Sequence, residues 1–262
     1  MAGEKEVRVA IDAARTGGAA LRARWGARGA GLATKTSATD VVLDADRASE
    51  AEVVRVLVAA FPDDAIVAEE GTDVGAGAAR RWYVDPLDGT VNYLYGIPHF
   101  AVAIACEDAD GLLAAVVFDP SRDELFTAAR GAGAWLGTAR LSVSAPEDVG
   151  SALVATGFAY VASARERQGQ VLSNILPRVR DIRRNGSAQL DLAWCAAARV
   201  DAYFESVDKP WDWKAGALLV REAGGRVTEL AQERPGDPHI VASGPRIHDG
   251  LVALLRDAVQ SR

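Results

Sequence analysis

The sequence predicts a layered, mixed α/β protein, and three observations carry that expectation. Of its 262 residues 49% are apolar, enough to fill one large domain or two intimately packed smaller ones. Short apolar runs bounded by Gly, Pro, Asp and Ser crowd the first half. In the second half strand and helix patterns alternate, the rhythm of stacked sheets and helices.

Residues 4–24 and 47–60 carry apolar side chains at helical spacing, as in Ala48, Val53, Val54, Leu57 and Val58, and predict two amphipathic helices. Phe61-Pro62-Asp63-Asp64 ends the second. Strand-like runs follow at 65–68, 81–84, 99–106, 112–118, 124–128 and 134–136, read as sheet without intervening helices. Next come a strand near 151–156, a helix over 163–176, a strand at 180–184, a helix over 187–199, a strand at 201–205 and a helix over 212–223. A strand near 239–242 and a helix over 246–259 close the pattern. A lobe boundary is expected near residue 145, and with no internal repeat or long linker the two halves are expected to share an interface as one structural unit.

Composition excludes several classes. Gly 25 and Pro 10 stay well short of the roughly 25–30% that marks low-complexity disorder. A net charge of −7 disfavours a broad cationic surface, so neither nucleic acid nor a membrane is expected as a partner. Cys106 and Cys195 lie far apart within apolar stretches, which suits buried thiols in a reducing compartment and makes the cytoplasm the expected location. The segment from Glu4 to Arg8 interleaves charges with apolar residues, unlike an export signal. The apolar runs from Phe100 to Cys106 and from Leu112 to Phe118 are far shorter than the roughly 20 residues of a membrane helix.

The informative feature is where acids interrupt apolar strands. Ile66-Val67-Ala68 runs into Glu69-Glu70, and Trp82-Tyr83-Val84 runs into Asp85-Pro86-Leu87-Asp88-Gly89-Thr90. Taken singly, Asp85 and Asp88 read as turn-formers, Glu69 as a solvated strand end and Asp212, within Trp211-Asp212-Trp213, as a helix cap. Should they converge, two like charges about 4 Å apart repel by roughly 4 kcal/mol at an effective dielectric of 20. Such acids must be protonated or bound to metal, and oxygen-only ligation points to a hard cation, Mg²⁺ before Mn²⁺ or Ca²⁺. Phosphate chemistry commonly uses Mg²⁺, and the Gly89-Thr90 pair could bring backbone N–H groups close to a phosphate where a short helix opens.

Three motifs in order resemble the inositol monophosphatase family, the Mg²⁺-dependent, lithium-sensitive group that includes fructose-1,6-bisphosphatases and bisphosphate nucleotidases. They are Ala68-Glu69-Glu70, the run from Trp82 to Tyr93, and Pro210-Trp211-Asp212-Trp213-Lys214-Ala215-Gly216 followed by Glu222-Ala223-Gly224-Gly225. Supporting matches run from Asn185 through Gly186, Ser187 and Ala188 to Glu205, and more weakly from Lys35 to Asp46. The resemblance implies a five-layer α-β-α-β-α sandwich, a homodimer, and two or three Mg²⁺ ions per subunit. It divides the chain into residues 1–145, carrying most metal ligands, and 146–262, carrying Asp212 and the leaving-group contacts.

By the same resemblance, Glu69, Asp85 and the Leu87 carbonyl correspond to ligands of a first metal, and Asp85, Asp88 and Asp212 to ligands of a second. Glu69 and Thr90 would orient and deprotonate the attacking water, with Gly89 and Thr90 amides holding phosphate oxygens. Asp46, with Lys35 nearby, corresponds to the support of a weaker third metal, and Gly186, Ser187, Ala188 and Glu205 to contacts with the leaving group. Asp88 and Asp212 fall in the substrate-binding set as well. Two positions depart from the family pattern: Ala68 where Gly is frequent, and Leu43 where Thr is frequent, which removes a hydroxyl near the third-metal region.

The expected activity is hydrolysis of a phosphomonoester by in-line attack of a metal-activated water, with no covalent phosphoenzyme. Myo-inositol 1-phosphate is the first substrate expected, histidinol phosphate the second, then fructose 1,6-bisphosphate or a 3′-phosphonucleotide. The last two would want extra cations, for which Arg165, Arg167, Arg183 and Arg184 are candidates, although such a cluster is usually solvated surface. An aspartyl-phosphate mechanism fits poorly, because its paired acids lie two apart whereas Asp85 and Asp88 lie three apart. A serine hydrolase lacks its Gly-x-Ser-x-Gly elbow, and His99, His239 and His248 read as structural or exposed. The non-enzymatic alternative is a regulatory protein-binding module, as some bacterial relatives are; the intact acid set speaks against a dead enzyme.

Overall fold

The computed structural model describes residues 3–26, 33–34 and 41–260. In chain order the elements are α1 (Glu4–Arg24), β1 (Ala33–Thr34), β2 (Val41–Val42), α2 (Asp44–Ala60), β3 (Ala65–Ala68), β4 (Asp73–Val74), β5 (Arg81–Asp88) and α3 (Thr90–Tyr95). Then follow β6 (Ala101–Asp108), β7 (Gly111–Asp119), β8 (Glu124–Ala129), β9 (Gly133–Leu136), β10 (Ala139–Arg140), β11 (Leu153–Thr156), α4 (Ala162–Ile175), β12 (Asp181–Arg183) and α5 (Ala188–Ala196). The last are β13 (Ala202–Glu205), α6 (Lys214–Glu222), β14 (Arg226–Glu229), β15 (Ile240–Ser243) and α7 (Pro245–Gln260).

An eight-stranded sheet runs in the order β10-β9-β8-β7-β6-β5-β3-β4, and a five-stranded one in the order β12-β11-β13-β15-β14. In the larger sheet only β3 and β5 pair in parallel; in the smaller, β11 is parallel to both β12 and β13. Side-chain alternation explains why the central strands read as unbroken apolar runs. Ala101, Ala103 and Ala105 of β6 face one buried cluster with α5 and α6, while Val102, Ile104 and Cys106 face another with α1 and α2. The small residues fall on the side where helices lie between the two sheets.

Ala155, Tyr203, Ile240 and Ala242 of the five-stranded sheet join that same central cluster. Its opposite face, through Val154, Ala202, Phe204 and Val241, buries Val171 and Ile175 of α4 and Ile247, Leu251 and Leu255 of α7. Burial of each such aliphatic or aromatic side chain contributes roughly 1.5–3 kcal/mol. The layers therefore run α1/α2, sheet, α5/α6, sheet, α4/α7, the expected α-β-α-β-α sandwich. None of the described helices is long and apolar enough to cross a membrane.

Several boundaries differ from expectation for local reasons. Helix α2 starts at Asp44, three residues early, because Asp44 and Asp46 sit in its first turn, where acids suit the helix dipole. Within the stretch read as sheet, the short helix expected to open at Gly89-Thr90 forms as α3; it buries Thr90, Asn92 and Tyr93, and its six residues are too few to show a period. Strand β14 escapes the pattern because its Arg226-Val227-Thr228-Glu229 exposes both ends and buries no side chain fully. Asp212 ends a 3-10 turn, Pro210–Asp212, and α6 opens two residues later without a side-chain cap, so the capping reading of Asp212 does not hold.

Candidate active site

Two residues of α2 pin the strand ends that carry the acids. Ser49 Oγ donates to the Pro86 carbonyl at 2.8 Å, holding the end of β5. The Glu50 carboxylate accepts from the Glu70 N–H at 2.7 Å and from the Thr72 hydroxyl at 2.7 Å, holding the turn after β3. Glu69, at the mouth of that turn, donates its N–H to the Val84 carbonyl and so stays in register beside β5. The pairing of β5 with β6 shifts between Asp85 and Asp88, a local irregularity that turns this stretch out of the regular ladder. Gly89 then takes φ 91°, and a Cβ there would stand 3.0 Å from the His99 carbonyl oxygen. Only glycine meets both conditions without strain.

The first turn of α5 supplies the opposite wall. Ser187 Oγ donates to Asp88 Oδ2 at 2.5 Å, the Gln189 N–H to the same oxygen at 2.7 Å, and the Ala188 N–H to Oδ1 at 3.2 Å. Asp88 thus receives three donors at a helix N-terminus, where a carboxylate is favoured. Gln189 also reaches across: its Nε2 donates to the Trp211 carbonyl at 2.5 Å and its Oε1 accepts from the Gly216 N–H at 2.7 Å, which fixes the turn bearing Asp212.

These elements enclose a cavity of about 350 Å³ whose wall includes Glu69, Asp85, Leu87, Asp88, Gly89, Thr90, Gly186, Ser187, Ala188, Glu205 and Asp212. Eleven of the twelve residues expected at the site therefore line one space. Asp46 is the exception: it is fully buried behind Thr90, its Oδ2 accepting from the Leu43 N–H at 2.9 Å and its Oδ1 lying 3.2 Å from Thr90 Oγ1. Leu43 itself is buried in the core beside α2. Lys35 lies outside the described residues.

Burial pushes Asp85 and Asp212 well above the usual carboxylate range, and repulsion from Glu69 and Asp88 adds to it in both. Glu69 and Asp85 are also within hydrogen-bonding contact. Asp88 is raised by burial to about 6, its donors from Ser187 and Gln189 opposing the rise. Glu205 is raised by burial to about 7, and the Tyr203 hydroxyl, donating at 3.0 Å, opposes that. Among the described residues no group of three or more His, Cys, Asp or Glu side chains stands arranged to hold a metal ion. The acid side chains of the wall nevertheless suit one: Glu69, Asp85, Asp88 and Asp212 offer only oxygen donors, Asp85 is buried and the other three half-buried, and they repel one another, a set that a hard divalent cation would relieve.

The wall also includes Arg184, Tyr160, Val161, Asp208 and Lys209, of which only Arg184 figured in the sequence reading. Of the other arginines, Arg183 pairs with Asp181 at the surface, Arg165 donates to the Ala159 carbonyl, and Arg167 is buried against Asp237 at 2.7 Å. Arg167 is thus a structural ion pair rather than solvated surface. No histidine or cysteine lines the cavity. Cys106 and Cys195 are buried thiols pushed up by burial, the latter to about 12, which makes them poor nucleophiles.

Residues 4–260 match the model of the inositol monophosphatase family. A relative named Nus factor SuhB from Pseudomonas aeruginosa is 44% identical over 231 residues, covering 84% of each chain. The crystal structure of extragenic suppressor protein suhB from Bartonella henselae superposes with a TM-score of 0.85 at 36% identity, covering 97% of this chain and 98% of that one. Inositol monophosphatase from Anabaena superposes with a TM-score of 0.82 at 34% identity, covering 96% and 95%. With relatives bearing the name of a Nus factor, the expectation that nucleic acid is no partner finds no support.

Proposed function

Because the chain belongs to the inositol monophosphatase family, we propose that it is a Mg²⁺-dependent phosphomonoester hydrolase acting on a small phosphorylated polyol or related phosphomonoester, myo-inositol 1-phosphate before histidinol phosphate. The observation that carries this reading is the gathering of Glu69, Asp85, Asp88 and Asp212 on the wall of one cavity that also holds the Gly89-Thr90 turn. In this proposal Glu69, Asp85 and the Leu87 carbonyl would hold one Mg²⁺ and Asp85, Asp88 and Asp212 a second, and Asp46 would support a third. Bound there, Mg²⁺ supplies Lewis-acid polarisation of phosphoryl oxygens and eases deprotonation of water.

The chain's own groups do the rest. The Thr90 hydroxyl lies within reach of both the Leu87 carbonyl, at 3.0 Å, and Asp46. It can donate its one proton to either and still accept from a water on the cavity side. Water would thus donate a hydrogen bond to Thr90 and pass a proton to the Glu69 carboxylate as its oxygen bonds to phosphorus; the P–O bond to the alcohol breaks, the alkoxide takes a proton from cavity water, and the Gly89 and Thr90 amides donate to phosphate oxygens. At the far end Glu205 accepts hydrogen bonds from hydroxyls of the departing alcohol, with Gly186, Ser187 and Ala188 beside it.

The test is phosphate release at saturating Mg²⁺ from inositol 1-phosphate, histidinol phosphate, fructose 1,6-bisphosphate and a 3′-phosphonucleotide, compared as kcat/KM. Inositol 1-phosphate should rank first; no release from any of the four would end the hydrolase reading. A second reading, a role in the transcription apparatus as a Nus factor, is favoured by the names of the 38–44% identical relatives. Copurification with transcription complexes without phosphate release would favour it alone. A homodimer, a cytoplasmic location and a division into residues 1–145 and 146–262 complete the proposal.

A further inference from the structure

Glu205 ends β13 at the junction of two spaces. On one side lies the 350 Å³ cavity, and on the other a small pocket of about 10 Å³ that also touches Gln168, Val171 and Phe204. Two neighbours fix its carboxylate. Tyr203, fully buried and two residues back on the same face of β13, donates its hydroxyl to Glu205 Oε2 at 3.0 Å. Gly157 follows β11, which pairs in parallel with β13 so that Thr156 stands opposite Phe204 and Gly157 beside Glu205. A Cβ on Gly157 would lie 2.1 Å from Glu205 Oε1 and 2.2 Å from Cδ and Oε2. No real Cβ comes that close, so the carboxylate lies flat against the glycine Cα and has its place only because a side chain is missing there.

The geometry points to Gly157 and Tyr203 as positioning residues that hold the Glu205 carboxylate at the leaving-group end of the cavity and thereby set which phosphomonoester alcohols are accepted. This rests on the reading above, in which Glu205 receives hydroxyls of the alcohol. Gly157 is not in the positive-φ region, so alanine suits its backbone. What alanine meets is the tip of a flexible side chain, which can swing away without unfolding the strand. The Tyr203 hydroxyl orients the carboxylate from behind, leaving the other oxygen for a ligand hydroxyl.

The experiment compares inositol 1-phosphate, rich in hydroxyls, with para-nitrophenyl phosphate, whose alcohol has none to spare. The readout is the ratio of their kcat/KM values. Gly157→Ala should lower that ratio about 10-fold, the scale of a lost hydrogen bond to a charged group, and mainly through KM for the inositol ester. Tyr203→Phe should lower it less, again through KM. In the double variant Gly157→Ala with Glu205→Asp the side chain is one methylene shorter, clears the new methyl and recovers part of the ratio; a merely structural defect would not recover. A ratio unchanged by Gly157→Ala, while Glu205→Ala changes it, overturns this inference alone. A ratio unchanged by Glu205→Ala sinks the leaving-group reading as well. Independently of turnover, a crystal structure of Gly157→Ala with the Glu205 carboxylate still against residue 157 would overturn it.

Discussion

Thr90 Oγ1 stands 3.2 Å from a carboxylate oxygen of Asp46, a residue fully buried in the first turn of α2, and 3.0 Å from the Leu87 carbonyl oxygen. One hydroxyl proton thus faces two acceptors, and the oxygen keeps acceptor capacity for a third group. Removing it in Thr90→Ala should lower kcat by about 100-fold or more, the range of lost general acid–base assistance, while Mg²⁺ affinity stays near wild type. Steady-state kinetics with a Mg²⁺ titration checks this, and an unchanged kcat takes Thr90 out of the reaction.

Asp85 is the residue proposed to touch both ions. Asp85→Asn keeps the shape of the side chain and its contact with the Leu87 N–H, but removes the charge. Turnover should fall by roughly 1,000-fold or more at saturating Mg²⁺, and calorimetry should find weakened Mg²⁺ binding. Near-normal turnover in this variant would refute the assignment.

Arg167 and Asp237 make a buried pair whose side chains are 10% and 3% exposed. Arg167 also donates to the Val259 carbonyl near the end of α7, and Asp237 accepts from the Arg234 N–H. Arg167→Met leaves a buried carboxylate without its cation and should cost about 3–5 kcal/mol in urea unfolding. Adding Asp237→Asn should return part of that loss, because the stranded charge goes with it.

His99 is buried, and burial with help from Arg122 lowers its pKa to about 4 from an ordinary 6.5. The folded protein therefore binds its proton later than the unfolded chain does as pH falls. This residue costs nothing at pH 7, and its contribution to stability declines from about pH 6.5 to about pH 4 by roughly 3 kcal/mol at most. His99→Gln should flatten the decline of urea midpoints between pH 6.5 and 4.5 relative to wild type; parallel curves would show that His99 does not titrate in this way.

How much of this was readable from residues alone depends on the distance over which the physics acts. Ala68-Glu69 and Val84-Asp85 could be read because apolar strands ending in acid are local patterns, and parallel pairing of β3 and β5 sets those ends side by side. Layering could be read from β6 and β7, whose apolar runs bury both faces of the larger sheet, whereas the count of five layers comes from the family resemblance. Gly157 carries no such local mark, since its meaning appears only when β11 and β13 align over 48 residues of sequence separation. Lys209, Asp208 and Tyr160 reach the cavity from loops, where no period exists to reveal them. Arg167 departs from expectation for a related reason: its partner Asp237 is 70 residues away, and an arginine without such a partner is usually exposed.

The clasp of Asp88 by Ser187, Ala188 and Gln189 joins the end of a strand in the larger sheet to the first turn of α5, the helix that lies between the two sheets. The same helix anchors the turn of Asp212 through Gln189. Strand end, helix and turn are therefore tied together through the wall of the cavity itself, and exposed members of that wall, among them Arg184, Tyr160 and Lys209, stand where it meets solvent.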